Sequence, residues 1–145
     1  MKKLLQFSPE NIILDKESAD YAAATFTLNN QPILFRMAKK TPTKIGQFIT
    51  IWKRINDGPI QPFDASDPFD FLIVQVQSSD HMNTGQFIFS KKILCEQNIF
   101  SQNNIGGKRA MRVYAPWDMT DNKQAKSTQK WQVNYFVEGD NLIWS

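Results

Sequence analysis

The alternation of apolar and polar positions predicts that the first half of the chain consists of β-strands. Residues 21–28 and 31–38 are rich in β-branched and aromatic side chains, and they flank the dipeptide Asn29-Asn30. Asparagine tolerates the positive φ of a tight turn, so this dipeptide predicts a β-hairpin. Within residues 48–54, successive side chains alternate between two faces, which predicts a third strand.

Further strands are predicted in the second half of the chain. Residues 71–74 form a near-continuous apolar run within residues 69–77, which is typical of a strand that is covered on both faces. A short strand is predicted over residues 86–90. Residues 109–117 predict another strand, which the proline at its end would terminate.

Two segments have the pattern of helices. Residues 90–98 follow a strand, and Ser90 is suited to the N-cap position. Residues 120–138 predict an amphipathic helix, in which Asp121 would cap the first turn and Gln124 would complete a capping box. Strands followed by strand, helix, strand and helix predict an α/β (α+β) fold with a central mixed sheet flanked by helices. At 145 residues, we expect a single domain over residues 1–145.

The composition excludes several classes of site. The chain has one cysteine, Cys95, and one histidine, His81, so it cannot form an internal disulfide or supply the usual ligands of zinc. No glycine-rich nucleotide motif is complete, and we expect no cofactor. The basic start gives way to Ser8, Pro9 and Glu10 too early for a signal peptide, and no run is long enough to span a bilayer, so we expect a cytoplasmic protein without a membrane partner.

The net charge of +3 is modest, but the charges are arranged in blocks along the chain. Residues 34–54 contain six basic side chains and no acid, and residues 55–80 contain five aspartates and no base. Residues 81–112 contain five basic side chains against Glu96 alone. Blocks of one sign can assemble into a surface patch when the chain folds.

Three aspartates, Asp64, Asp67 and Asp70, precede the apolar run at residues 71–74. Carboxylates bind Mg²⁺ in metal-dependent nucleases, so all three are candidate metal ligands, and Asp70 at the head of the strand is the candidate catalytic residue. One such arrangement places an acid-x-Lys on the neighbouring strand, where this chain has Gln86 and Ile88. We therefore expect an incomplete metal site.

A structural interpretation of the same aspartates remains open. Asp64 and Asp67 suit the Pro/Asp/Ser turns in which they lie. Asp70 stands between two phenylalanines, and a buried carboxylate needs a partner because an unpaired one is costly. Arg112 on the strand at residues 109–117 is the candidate partner.

Basic and aromatic residues alternate in "IWKR" and "GKRAMRVY". Lysine and arginine bind phosphates, and exposed aromatic rings stack on the bases of single strands. The alternative is that the aromatic side chains belong to the core and the charges mark strand ends. The candidate nucleic-acid-binding residues are Lys44, Trp52, Lys53, Arg54, Lys108, Arg109, Arg112 and Tyr114.

From about Ala38 to Glu138, several blocks in order resemble the MepB-like family: "KKTPTKIGQFITIWKR", "PFDASDPFDFLIV", "GQFIFSK", "GKRAMRVYAPWD" and "KSTQKWQVNYF". The resemblance implies a restriction-endonuclease-like core and nucleic-acid binding. Some members are encoded beside a multidrug efflux pump and its regulator, which implies a context in drug resistance. The missing acid-x-Lys is where this sequence departs from an active nuclease of that fold, so the resemblance does not imply cleavage.

We therefore predict a nucleic-acid-binding protein without sequence specificity that prefers single-stranded DNA or RNA, because no recognition helix or zinc module is present. Asp70 is interpreted as the relic of an ancestral metal site, with Gln86 opposite it. One alternative is a metal-dependent nuclease that uses Asp64, Asp67 and Asp70. Another is a module that binds a protein or a small ligand and is linked to multidrug resistance.

Overall fold

Within residues 2–139, which the computed structural model describes apart from the side chains of Lys2 and Lys3, the chain forms eleven strands and two α-helices. The helices are α1 (Lys91–Glu96) and α2 (Lys123–Gln132), and short 3₁₀ segments cover Lys2–Gln6, Ala19–Tyr21 and Val133–Tyr135. None of these helices is both long enough and apolar enough to cross a bilayer. The strands are β1 (Glu10–Leu14), β2 (Ala24–Leu28), β3 (Gln31–Met37), β4 (Lys39–Lys40), β5 (Gln47–Thr50), β6 (Trp52–Arg54), β7 (Ile60–Pro62), β8 (Phe71–Gln77), β9 (Thr84–Ser90), β10 (Ala110–Val113) and β11 (Phe136–Glu138).

Strands β3 and β8 form the centre of the larger sheet, whose order is β1-β2-β3-β8-β9-β11. They pair in parallel, while the neighbouring pairs run antiparallel. Residues 33–36 and 72–76 are buried without a break, so both strands are covered on both faces. The predicted mixed sheet and its buried strand are therefore confirmed, with the strand beginning at Phe71 rather than at residue 69.

The hairpin predicted at Asn29-Asn30 joins β2 to β3. Both asparagines have positive φ, at 49° and 63°. Asparagine adopts this conformation more readily than other residues that have a Cβ atom, which explains its use in a two-residue turn. The hairpin prediction is confirmed.

The connection between the parallel strands β3 and β8 contains most of the strands outside the large sheet. Parallel neighbours cannot be joined by a tight turn, so the chain must leave the sheet and return. On the way it forms β4 to β7, and β5 then pairs with β4 on one side and β10 on the other to give the small sheet β10-β5-β4. Ile49, Met111 and Val113 of this sheet are buried in the main core.

Residues 48–54 do not form the single strand that their alternation predicts. β5 ends at Thr50, and β6 begins at Trp52 in a separate two-stranded sheet with β7. Ile51 between them is fully buried, and its N–H donates to the carbonyl of Arg109 at 2.9 Å. Because Ile51 stays buried, the alternation of side chains continues through the break and cannot reveal it.

The helix predictions are correct in place but not in detail. Ser90 caps α1 as predicted, with its side chain accepting from the N–H of Ile93. The cap of α2 is Asn122 rather than Asp121, because the Asn122 side chain accepts from the N–H of Ala125 at 2.8 Å. Residues 136–138 form strand β11 instead of continuing the helix, and β10 covers only part of the strand predicted over residues 109–117.

Arg36 links the two sheets from a fully buried position on β3. Its side chain is 1% exposed, its Nε donates to the carbonyl of Thr50 on β5 at 3.0 Å, and its Nη1 donates to the carbonyl of Phe35 at 2.8 Å. Burial lowers the pKa of this guanidinium to about 10, against the opposing attraction of Asp15. Within the described residues its Nη2 has no hydrogen-bond partner. The contact with Thr50 therefore fixes β5 against β3.

Replacing Arg36 tests this link. We expect Arg36→Met, which fills similar volume without donors, to lower the free energy of unfolding by about 2 kcal/mol, and Arg36→Ala to lower it by roughly 4 kcal/mol because it also leaves a cavity. Urea unfolding measures both. The control Arg54→Met removes an arginine from the surface and should change stability by less than about 1 kcal/mol. A fully stable Arg36→Met variant would contradict the proposed link.

Candidate nucleic-acid interface

A groove of about 470 Å³ lies between β10 and α2. Four of the candidate nucleic-acid-binding residues line it, although they come from separate parts of the chain. Lys44 comes from the loop between β4 and β5, and Lys108 comes from the loop before β10. Arg112 and Tyr114 come from β10 and the residue after it, and Trp131 of α2 lies in the opposite wall. The structure therefore brings half of the predicted binding residues to one place.

The side-chain amide of Gln132 holds α2 beside β10. This residue is 0% exposed, its Oε1 accepts from the N–H of Tyr114 at 2.8 Å, and its Nε2 donates to the carbonyl of Arg112 at 3.0 Å. Gln129, one turn earlier, donates to two carbonyls of the turn that follows β10. The backbone positions of Arg112 and Tyr114 in the groove therefore depend on the helix.

The lining of the groove is mainly basic. Among residues 2–139, the lining contains Lys44, Lys108 and Arg112 and a single acid, Asp121. None of the three cations forms an ion pair within residues 2–139. Arg112 Nη1 makes only long hydrogen bonds, of 3.3 and 3.4 Å, to the carbonyls of residues 45–46. Because the guanidinium has five N–H donors, most of them remain available to a ligand.

Gly46 allows Tyr114 to pack against the loop that carries Lys44. The backbone of Gly46 has φ +82°, and a Cβ atom at this position would lie 2.7 Å from Cδ1 of Tyr114. Any other residue would be strained by the φ value and would collide with the ring. The contact between Tyr114 and this loop therefore requires a glycine at position 46.

The other four candidate nucleic-acid-binding residues do not line the groove. Lys53 on β6 is paired with Asp67 at 2.6 Å, and the guanidinium of Arg54 lies 5.5 Å from the ring centroid of Trp52. Arg109 is exposed just before β10, outside the lining. The break at Ile51 explains the separation of Trp52, Lys53 and Arg54 from the groove, because it moves β6 into a different sheet from β5.

Asp64 organises a loop through its own carboxylate. Oδ1 accepts from the Ser101 hydroxyl at 2.7 Å and from the N–H of Asn104 at 2.9 Å, while Oδ2 accepts from the hydroxyl and the N–H of Ser66. These bonds, with the Ser66 hydroxyl contributing most, hold the pKa of Asp64 well below its usual range. Asp64 therefore holds the start of the loop that ends at Lys108.

Asp67 is likewise engaged, and Asp70 is not buried. Oδ2 of Asp67 accepts from Lys53 Nζ at 2.6 Å and from the N–H of Asp64 at 2.7 Å. Asp70 is exposed at the head of β8, so it does not need a buried partner. The prediction that Arg112 pairs with it is wrong, because Arg112 extends toward residues 45–46 instead.

Gln86 does not lie opposite Asp70. In the register of β8 and β9, Gln86 is paired with Gln75, and the two side chains are hydrogen-bonded at 3.0 Å. Gln75 is five residues beyond Asp70, roughly 17 Å along a strand. The expectation that Gln86 faces Asp70 is therefore wrong, whereas the expected position of Asp70 at the head of β8 is confirmed. No group of three or more His, Cys, Asp or Glu side chains that could share a metal ion occurs within the described part of the chain.

A second groove, of about 850 Å³, borders the same loop at residues 41–46. Lys44 lines both grooves. In the second groove, however, Lys40 and Lys44 are accompanied by Asp80 and Asp118. The charges in this lining are balanced, so the groove between β10 and α2 is better suited to a polyanion.

Comparison with known proteins agrees with this architecture. Residues 15–138 match the model of the MepB-like family. The chain belongs to the MepB-like family. A crystal structure of MepB is similar to this chain with 35% sequence identity and a TM-score of 0.83, over 90% of this chain and 86% of that chain. No curated protein matches this chain.

The region that matches the MepB-like family contains the complete groove. It includes the loop with Lys44, strand β10 and helix α2. The family prediction from the sequence blocks is therefore confirmed, and the candidate site lies within the family's common region.

The sequence did not indicate the helical wall of the groove. Gln129 and Gln132 are one turn apart on α2, and their spacing places both on the side that faces β10. Glutamines on a helix are usually exposed, so nothing in the sequence alone distinguishes these two. Trp131 between them was likewise not among the candidate binding residues.

Replacing Asp64 should alter the stability of the protein in a pH-dependent way. The lowered folded-state pKa means that the stabilisation by the carboxylate is complete above the unfolded value of about 3.9 and is lost as the pH falls through the folded value. We expect Asp64→Asn to be less stable than the wild type at neutral pH, with a difference that shrinks below about pH 4. Urea unfolding across this range measures it, and Asp57→Asn in an exposed turn is the matched control. A difference that is independent of pH would contradict the assignment.

Replacing Gln132 tests the support of the groove. Gln132→Leu leaves the part-buried N–H of Tyr114 and carbonyl of Arg112 without their partner, so we expect a loss of about 2 kcal/mol in the free energy of unfolding. Gln124→Leu, in the exposed first turn of the same helix, should change it by less than about 0.5 kcal/mol. Thermal or urea unfolding compares them, and equal stabilities would show that the bridge contributes nothing.

Proposed function

We propose that the groove between β10 and α2 binds single-stranded DNA or RNA without sequence specificity, by contacts with the phosphates. The observation that supports this most is the convergence of Lys44, Lys108 and Arg112 on one cavity, without acid partners among residues 2–139. Phosphate neutralisation supplies most of the affinity in non-specific binding, and it requires unpaired cations in this kind of arrangement.

The shape and the aromatic lining favour a single strand over a duplex. Tyr114 and Trp131 contribute to opposite sides of the groove, and stacking on such rings is possible only for bases that are not enclosed in a double helix. Helix α2 is one wall of the groove and is packed against β10 by Gln132, so it is not free to enter a major groove as a recognition helix does.

Cleavage is not part of this proposal. Both carboxylate oxygens of Asp64 and Oδ2 of Asp67 accept hydrogen bonds within the protein. Asp70 is not opposite Gln86, and Lys91, whose N–H donates to the carbonyl of Asp70 at 2.9 Å, follows Phe89 and Ser90 and so is not part of an acid-x-Lys. The restriction-endonuclease-like relationship of the core remains a prediction, which the mixed sheet with Asp70 at the head of β8 supports. A nucleic-acid ligand and a single cysteine favour action in the cytoplasm.

Charge reversal in the groove provides the test. We expect Lys44→Glu and Lys108→Glu each to weaken binding of labelled single strands about tenfold at low salt. Each should also reduce the slope of log affinity against log salt by about 0.7, the value for one phosphate contact on a single strand. Fluorescence anisotropy with single-stranded DNA, single-stranded RNA and duplex across a salt series measures both quantities.

The control variant is Lys92→Glu, which makes the same change in net charge. Lys92 is highly exposed on α1 and outside the groove lining. If all three variants lose affinity equally, the effect comes from the overall charge and the groove is not the site. If the wild type does not bind any strand at low salt, the proposal as a whole is rejected.

A further inference from the structure

The outer face of the small sheet carries a row of cations and aromatic rings. In the register of β10, β5 and β4, Arg112 is opposite Phe48 and Phe48 is opposite Lys39. Directly opposite residues in neighbouring strands point to the same face of a sheet, so the three side chains form one row across it. Tyr21, from the 3₁₀ segment Ala19–Tyr21, extends the row.

The contacts in this row alternate between ring and cation. The guanidinium of Arg112 lies 5.7 Å from the ring centroid of Phe48, and the ammonium of Lys39 lies 5.8 Å from that of Tyr21. The two rings meet edge to face at 6.3 Å. Both cations are therefore near the outer limit of a cation–π contact, which is about 6 Å. At such distances the cations are loosely held and can exchange their rings for phosphates.

Phe48 is outside the core clusters, and Tyr21 packs against the main core while its ring remains only partly buried. Phe48 and Tyr21 are partly exposed, whereas the neighbouring residue Ile49 on the opposite face of β5 is 0% exposed. The small sheet therefore buries one face in the core and leaves the aromatic row accessible on the other. Partly exposed rings on a sheet face are the arrangement that single-strand-binding domains use to stack bases.

The row is continuous with the groove through Arg112. The side chain of Arg112 lines the groove and also lies over Phe48 on the outer face. Between Arg112 and Lys39 the row crosses two strand spacings, roughly 10 Å between Cα atoms. This distance exceeds the roughly 3.4 Å rise of a stacked nucleotide, so the face has room for more than one.

We propose that a bound single strand leaves the groove at Arg112 and crosses the outer face of the small sheet, where Phe48 and Tyr21 stack on bases and Lys39 contacts a phosphate. This inference rests on the proposed function and adds a second binding surface to it. The charge on this face fits the ligand: Arg112 and Lys39 flank the rings, and Glu17, which precedes the 3₁₀ segment of Tyr21 in sequence, is paired with Arg54 at 2.9 Å. Asp20 is exposed beside Tyr21 in sequence, at the end of the row away from Arg112.

Photo-crosslinking locates the bases on the wild-type protein. Oligonucleotides with one iodouracil at successive positions crosslink to the aromatic ring that stacks on that base, and mass spectrometry of the peptides identifies the ring. For a long oligonucleotide we expect crosslinks to Tyr114 or Trp131 from one part of the strand and to Phe48 or Tyr21 from another. Crosslinks confined to Tyr114 and Trp131 would reject the outer face while leaving the groove in place.

Affinity as a function of strand length gives an independent test. Phe48→Leu keeps an apolar side chain but removes the flat ring, so we expect about tenfold weaker binding of long strands and unchanged binding of strands too short to leave the groove. Phe7→Leu is the matched control, because Phe7 is 44% exposed and lies outside both surfaces. Thermal unfolding checks that both variants remain folded.

The outcomes separate the two proposals. A length-dependent loss in Phe48→Leu supports the outer face, and equal affinity of wild type and Phe48→Leu at every length rejects it. If Lys44→Glu weakens binding while Phe48→Leu does not, only the groove binds the strand. If the wild-type protein neither raises the anisotropy of a labelled strand nor crosslinks to it, binding at the groove and binding at the outer face are both rejected.

Discussion

The hydrogen bond from Arg36 to the carbonyl of Thr50, together with the burial of Ile49, Met111 and Val113 in the main core, holds the small sheet on the large one. A buried guanidinium is costly, and its lowered pKa records that cost. Its hydrogen bonds to the carbonyls of Thr50 and Phe35 offset part of this cost, and the bond to Thr50 joins β3, at the centre of the large sheet, to β5, at the centre of the small one. Strand β10 is positioned by its pairing with β5, and helix α2 is positioned by its hydrogen bonds to β10. The wall positions of the groove thus follow from a contact in the core.

The loop aspartates belong to the same system of support. Asp64 joins the turn after β7 to the loop that leads to Lys108, and Asp67 holds Lys53 away from solvent. Lys53 and Asp67, which the sequence assigned to a nucleic-acid site and a metal site, are thus partners in one structural ion pair. Lys44, Lys108 and Arg112 in the groove lining form no ion pair within residues 2–139, and their convergence gives a chain of modest net charge a local basic surface.

The sequence predicted elements whose signals are local. Asn29-Asn30, the buried run of β8 and the Ser90 cap each depend on a few adjacent residues, and all three are confirmed. The break at Ile51 and the change from helix to strand at Phe136 depend on partners distant in sequence, β10 and β9 respectively. Candidate binding residues were identified by type, but only folding could separate Lys44 from Lys53, because Lys53 forms an ion pair with Asp67 whereas Lys44 forms none within residues 2–139.

The amide of Gln132 has a consequence for the solubility of the protein. β10 is at the edge of its sheet, and an uncovered edge offers backbone groups that can pair with a strand of another molecule and lead to aggregation. Gln132 occupies one N–H and one carbonyl of this edge as a neighbouring strand would, but it does so with a single side chain. The end of the edge at Arg112 and Tyr114 is thereby withheld from intermolecular β-pairing, while the space beside it remains open to a ligand that binds through side chains.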